Sequence, residues 1–263
     1  MSRTLRTTRL LAAVALAAAA CTIAVRAEAE QSSRAGVRVS FRGSFAPKRI
    51  PRHRPVPISL TLEGSVRGEQ GPAPRLRQIE IAFGARGGLD TAGLPVCARS
   101  QLRNATSEQA LERCGEALVG HGEITAEVPF SRIQPILAHA GVLVFNGRWH
   151  HRPAAWVHAY SASPPAGFVL PFYLRRPSTG SYGVLMSSPV GPALGAWPRL
   201  RSFRIVLSRR FRAAGRTHSY LKAHCPLAPR YTFLSVPFAR ATFQFTPGPT
   251  IAQSIRRFCV VRK

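Results

Sequence analysis

The chain has 263 residues, enough for one sizeable hydrophobic core or two small ones. Its 37 lysines and arginines against 11 acids give a formal net charge of +26, which creates a field that attracts anionic polymers and surfaces. The 22 prolines and 21 glycines fit a chain with many turns and argue against a helical protein.

The N-terminus has the pattern of a secretory signal. Met1–Arg9 carries three arginines and no acid, Leu10–Val25 is an apolar run, and small residues follow at Ala27 and Ala29. The alternative is an uncleaved membrane anchor, but the run is shorter than the roughly 20 apolar residues that span a bilayer. We therefore expect residues 1–29 to be a cleaved signal peptide. The remaining 30–263 then form a single β-rich domain, with a weak subdivision near 130 and no transmembrane segment.

The acidic residues are unevenly distributed. All of them lie between Glu28 and Glu127, and residues 128–263 contain seventeen arginines and two lysines but no acid. This distribution predicts an anionic cell-wall polymer or polysaccharide as the partner. The alternative is a compositional bias toward arginine without a functional role. The modules that bind nucleic acid are missing, so we expect no specific nucleic-acid partner.

Most of the chain alternates apolar and polar residues with a period of two. Val37, Val39 and Phe41, for example, share one face of a predicted strand, with polar residues between them. Short strands at this spacing predict an all-β, antiparallel, sandwich-like fold of about a dozen strands. The predicted strands are Val37–Phe45, Val56–Val66, Ile79–Phe83, Ala117–Phe130, Val142–Phe145, Ala154–Tyr160, Phe168–Leu174, Tyr182–Ser187, Phe203–Leu207, Tyr231–Val236, Ala241–Phe245 and Phe258–Val261. Asn146-Gly147 is a strong hairpin-turn signal.

One short helix interrupts this pattern. Thr106 and Gln109 have the spacing of a capping box, Ser107–Arg113 contains good helix formers, and Gly115 can end the helix. Two helical turns are not stable alone, so a covalent link to the preceding loop would hold the helix in place.

Four cysteines remain after the predicted signal, and an even number in a secreted chain indicates disulfides. They are Cys97, Cys114, Cys225 and Cys259. No CxxC pair is present, which argues against a zinc site or a redox pair. Three pairings are possible, and the short helix favours Cys97 with Cys114, which leaves Cys225 with Cys259.

Several segments together resemble a family of secreted actinobacterial proteins of uncharacterised function. They are Asp90–Val96 with Cys97, Ala110–Gly120, Phe145–Gly147, and Ser219–Pro226 with Cys259. The resemblance covers most of the chain after residue 29. It implies a shared cysteine framework and a secreted location, and it implies no activity.

The stretch GRWHHRPAAWVHAY contains the candidate ligand-binding residues. If the small side chains between them face the core, then Trp156, His158 and Tyr160 form an exposed ledge that can stack on sugar rings, with Arg148 and Arg152 as donors. The alternative is that these large side chains are themselves core residues. The histidines have no acid beside them, so we expect no metal site and no cofactor.

The sequence does not contain the residue patterns of common enzyme active sites. Asp90 is the sole aspartate, and its context GGLDTAGLP indicates a turn in which its side chain caps local amides. No nucleophile elbow, phosphate-binding loop or HExxH motif is present. Glu80, Glu123 or Glu127 with a histidine could serve a hydrolase, and this is the alternative to a non-catalytic protein.

We therefore expect a secreted, disulfide-linked binding or structural protein, free or at the cell surface, whose basic surface contacts anionic envelope polymer. Arginine suits this role because its planar fork pairs with phosphate and carboxylate. The candidate contacts are Arg148, Arg152, Arg209, Arg210, Arg256 and Arg257.

Overall fold

The computed structural model describes residues 30–130, 133–177, 180–191 and 198–262. The predicted signal segment, residues 1–29, lies outside the described residues.

The described residues are mostly β-strand, and neighbouring strands are mostly antiparallel. The strands in chain order are β1 (Glu30–Arg34), β2 (Val37–Ala46), β3 (Arg49–Ile50), β4 (Val56–Pro57), β5 (Ser59–Gly68), β6 (Arg75–Gly84), β7 (Gly87–Leu89), β8 (Leu118–Phe130), β9 (Ile133–Trp149), β10 (Arg152–Ala162), β11 (Pro165–Arg175), β12 (Tyr182–Pro189), β13 (Arg199–Leu207), β14 (Arg210–Ala213), β15 (Arg216–Ser219), β16 (Leu221–Ala223), β17 (Phe233–Thr246) and β18 (Thr250–Val261). The predicted all-β fold class is confirmed.

Thirteen strands form one large sheet in the order β1-β2-β5-β13-β8-β9-β10-β11-β12-β6-β17-β18-β3. This sheet folds over itself, because β18 lies close to β1 and β2, and Phe41 of β2 contacts Phe243 of β17 edge to face at 6.4 Å between ring centroids. Nearly every long strand therefore contributes apolar side chains to one main core. Two small sheets, β4-β16-β7 and β14-β15, are added to it.

The alternation seen in the sequence determines which side chains reach the core. In β2, Val37, Val39 and Phe41 are buried and the residues between them are not, as predicted. The strands before and after residue 130, β8 and β9, are neighbours in the large sheet. The single-domain interpretation of residues 30–263 stays a prediction.

The disulfides and the short helix agree with the sequence analysis. Cys97 is bonded to Cys114, and Cys225 to Cys259. Helix α1 (Arg99–Leu102) precedes helix α2 (Ser107–Cys114), and a 3₁₀ turn (Gly115–Ala117) follows. At the start of α2, the amide of Gln109 donates to Thr106 Oγ1 at 3.2 Å, and the amide of Thr106 donates to Gln109 Oε1 at 3.1 Å. This is the predicted capping box.

The hairpin between β9 and β10 differs from the prediction at Asn146-Gly147. Strand β9 continues through these residues, and the turn lies at His150 and His151, whose φ angles of 45° and 64° are typical of a two-residue hairpin turn. Asn146 is buried instead, and its Nδ2 donates to the carbonyl of Pro95 at 2.9 Å. The asparagine thus fixes the loop before α1.

Candidate functional site

Three arginines border a pocket of about 450 Å³ at one end of the large sheet. The pocket is formed by the beginning of β10, the end of β11, β12 and the segment after β7. Its lining residues are Leu89, Thr91, Arg152, Pro153, Leu174, Arg175, Arg176 and Val184. We call it the arginine pocket. It combines three cationic side chains with apolar ones, and none of its lining residues in the described ranges is acidic.

The hairpin turn and the strand register explain why these arginines meet. Arg152 is the first residue of β10, directly after the turn, and Arg175 is the last residue of β11. The β10–β11 register pairs Ala154 with Tyr173, so Arg152 and Arg175, each two residues further along, lie at the same end of adjacent strands.

These arginines keep most of their hydrogen-bonding capacity. Arg176 Nη2 donates to the carbonyl of Leu89 at 3.3 Å, and Arg175 lies 3.8 Å from Glu80 Oε2 in an exposed ion pair. The Arg152 side chain has no hydrogen bond or ion pair with another residue in the described ranges. Each guanidinium carries five N–H donors, so unused donors remain for a phosphate or carboxylate.

Two aromatic side chains that do not line the arginine pocket lie close in the sheet to Arg152 and Arg175. Trp149 is 39% exposed, and its ring centroid lies 5.7 Å from that of Tyr173. Trp149 is the register partner of Arg152, and Tyr173 is two residues before Arg175 on the same face of β11. Aromatic rings next to arginines with free donors are chemically suited to contact a charged sugar.

A charged cluster holds the segment that forms one side of the pocket. Asp90 lies between Leu89 and Thr91, and its Oδ2 accepts hydrogen bonds from Lys222 Nζ at 2.6 Å and His218 Nδ1 at 3.2 Å. Its Oδ1 accepts from the amide of Ala92 at 3.1 Å, which is the local cap that the sequence predicted. Burial raises the pKa of Asp90, but the three hydrogen bonds outweigh it and hold the pKa below its ordinary value. Asp90 is thus a structural anion.

The predicted aromatic ledge does not exist as an exposed surface. Trp156 and His158 are 1% and 0% exposed, because the helices and the disulfide cover this face of β10 while its other face meets the main core. Trp156 Nε1 donates to the carbonyl of Cys97 at 2.9 Å, and His158 Nε2 lies 2.8 Å from the carbonyl of Ala105. These two residues therefore hold the helical segment and do not face solvent. Tyr160 is partly buried.

Of the predicted arginines, only Arg152 lines the arginine pocket. Arg148 is exposed on β9. Arg257 donates to the carbonyl of Gly43 at 2.6 Å, and Arg256 to the carbonyl of Ser235 at 2.6 Å, so both support the β17–β18 region. Arg209 and Arg210 lie at the start of the β14–β15 hairpin. The sequence analysis missed Arg175, Arg176 and Trp149.

The three glutamates considered for a hydrolase do not come together in one site. Glu127 is buried and pairs with Arg199 at 3.2 Å and Arg201 at 3.5 Å. Glu80 lies on β6, five strands from β8 in the sheet order, and faces Arg175. Glu123 is exposed on β8. Within the described ranges, no three side chains of His, Cys, Asp or Glu converge as metal ligands.

No helix in the part of the chain that the structure describes is long and apolar enough to cross a bilayer. No protein-family model matches this chain, and neither does any curated protein or solved structure compared with it.

Proposed function

We propose that this protein is a secreted, non-catalytic binding protein of the cell envelope, and that it binds an anionic envelope polysaccharide. The arginine pocket is the proposed contact, with Trp149 and Tyr173 against the sugar rings. The observation that carries the proposal is the convergence of Arg152, Arg175 and Arg176 on one pocket of about 450 Å³ that no acid lines.

The chemistry of these side chains supports binding over catalysis. A guanidinium stays protonated throughout the physiological pH range, so it pairs with phosphate or carboxylate but does not transfer protons. Asp90, between the lining residues Leu89 and Thr91, already accepts hydrogen bonds from Lys222 and His218, and Glu80 pairs with Arg175. The net positive charge of residues 128–263, which contain no acid, would also attract a negatively charged polymer over a longer range.

The two disulfides support a location outside the reducing cytosol. This location agrees with the predicted signal peptide, and envelope polymers are accessible there.

The test is a pull-down of the purified protein on isolated cell envelope across a salt titration. We expect binding that weakens steeply as salt rises, because polyanion binding releases counterions. The double variant Arg175→Ala/Arg176→Ala should weaken binding at least about tenfold, since a charge-assisted hydrogen bond contributes about 1.5–3 kcal/mol. The matched control Arg212→Ala/Arg216→Ala removes the same charge from exposed positions on the β14–β15 hairpin.

Equal losses in both double variants would show that only net charge matters and would overturn the arginine pocket as the contact. Salt-insensitive binding, or no binding at low salt, would overturn the polymer proposal itself. A third variant, Trp149→Ala, tests the sugar contact: it should weaken binding to an anionic polysaccharide and leave binding to inorganic polyphosphate unchanged.

A further inference from the structure

Two phenylalanines at the β17–β18 end of the large sheet face solvent. Phe258 and Phe233 are 62% and 60% exposed, more than any other large apolar side chain among the described residues. In the β17–β18 register, Phe233 faces Val260 and Ser235 faces Phe258, so the two rings are diagonal neighbours on one face. Their centroids lie 6.1 Å apart at an angle of 64°. We call this pair the phenylalanine patch.

A disulfide and several hydrogen bonds fix the strands that carry the phenylalanine patch. Cys259, next to Phe258, is bonded to the buried Cys225. The guanidinium of Arg52 donates to the carbonyls of Leu227, Ala228 and Tyr231 and so fixes the segment that leads into β17. The two rings belong to an exposed apolar group with Tyr231 and Leu234, which are 42% and 43% exposed, and contiguous exposed apolar surface is typical of interaction sites.

The strands that form this end of the sheet and the small sheet beside it contain no acidic residue. Strands β3, β4, β16, β17 and β18 all come from residues 31–62 and 128–263, and neither range contains an aspartate or glutamate. Arg256 donates to the carbonyl of Ser235, the register partner of Phe258. Arg230 lies 4.8 Å from the ring centroid of Tyr231, two residues before Phe233.

We infer that the phenylalanine patch is a docking surface for an anionic lipid bilayer. Phenylalanine has no hydrogen-bonding group, so its exposed ring gains most from an apolar medium. The two rings meet edge to face and thus do not form a flat platform for a sugar or a base. Apolar rings with Arg230 and Arg256 on the neighbouring residues match the acyl boundary and the negative headgroups of such a bilayer. The phenylalanine patch shares no residue with the lining of the arginine pocket.

The experiment is co-sedimentation of the purified full chain with phosphatidylcholine vesicles, prepared with and without phosphatidylglycerol. The wild-type protein should bind the anionic vesicles and bind the neutral ones weakly. Phe233→Ser/Phe258→Ser should reduce binding to anionic vesicles at least about tenfold, because two buried rings are lost from the contact. The control Ile136→Ser/Leu137→Ser removes two exposed apolar side chains from β9 and should bind like the wild type.

A single variant gives a second readout with the patch kept apolar. With Trp149 and Trp197 replaced by phenylalanine, the fluorescence emission of Phe258→Trp should shift to shorter wavelength on adding anionic vesicles and stay unchanged with soluble dextran sulfate, because Trp156 is buried. Absence of this shift, or equal binding by the two serine double variants, would overturn the inference. So would loss of dextran sulfate binding in Phe233→Ser/Phe258→Ser, because the patch would then contact the polymer. If Arg175→Ala/Arg176→Ala does not weaken polysaccharide binding, the proposed function fails. The lipid inference is tested independently by the vesicle experiment.

Discussion

The carboxylate of Asp90 and the ammonium of Lys222 are 2.6 Å apart, although the two residues are 132 positions apart in the sequence. The contact links the segment after β7 to β16, and His218 of β15 donates to the same carboxylate. The sole aspartate of the chain thus holds together three elements next to the arginine pocket.

We predict that Asp90→Asn lowers the free energy of unfolding by about 1–3 kcal/mol near neutral pH, because it removes the negative charge that pairs with Lys222 and accepts a hydrogen bond from His218. Since the folded-state pKa of Asp90 is depressed, this contribution is fully present above the unfolded pKa of about 4 and disappears as pH falls through the folded value. Urea unfolding of both proteins across this acidic range measures the effect. The exposed control Glu112→Gln should change stability by less than about 0.5 kcal/mol. A difference that does not shrink in acid would contradict the assignment.

A second prediction concerns His158. A carbonyl oxygen only accepts, so Nε2 carries the proton that it donates to Ala105. Burial lowers the pKa of His158 more than this hydrogen bond raises it, so the folded ring stays neutral where an unfolded histidine takes up a proton. The free energy of unfolding should therefore fall as pH drops below about 6.5.

His158→Gln removes this titration and keeps an amide donor for the Ala105 carbonyl. The decrease in unfolding free energy between about pH 7 and pH 5 should be smaller in His158→Gln than in the wild type. The control His121→Gln changes an exposed ring and leaves His158 in place, so the decrease should remain. An identical decrease in His158→Gln and the wild type would rule out this explanation.

A third prediction concerns the different structural effects of removing each disulfide. Their partners are 17 and 34 residues apart, and chain entropy gives about 3 and about 4 kcal/mol for closing such loops. Cys97→Ala/Cys114→Ala should also expose Trp156, because this disulfide holds the helices that cover it. Cys225→Ala/Cys259→Ala should leave Trp156 covered.

The measurement is acrylamide quenching of Trp156 fluorescence with Trp149 and Trp197 replaced by phenylalanine. Strong quenching is expected only when the Cys97–Cys114 bond is missing. Equal quenching in both double variants would show that Trp156 does not depend on that bond.

Much of the fold could be predicted because its determinants are local. Alternation in a strand such as Val37–Phe45 shows which side chains share a face, and Thr106 and Gln109 form their capping box within one turn of helix. The even set of cysteines and the short helix also led to the observed pairing.

The candidate site could be predicted only in part. Arg152 was identified from the sequence, but Arg175 and Arg176 join it through the β10–β11 register, and strand register depends on partners distant in sequence. A pair of arginines directly after the apolar run FVLPFYL was the available signal. The sequence pattern pointed to Trp156 as the ligand-binding tryptophan and not to Trp149, but the helices cover the face of β10 that carries Trp156.

The sequence by itself determined the strand-rich character, the alternation of faces, the cysteine set and the acid-free basic half, since each depends on residue type and short spacing. Only the tertiary structure decided what covers each face. Period two places Trp156 and His158 together, but α1 and α2 bury them. Asp90 meets Lys222 only because folding closes a long loop that no local pattern encodes, and Phe233 meets Phe258 through the register of the β17–β18 hairpin.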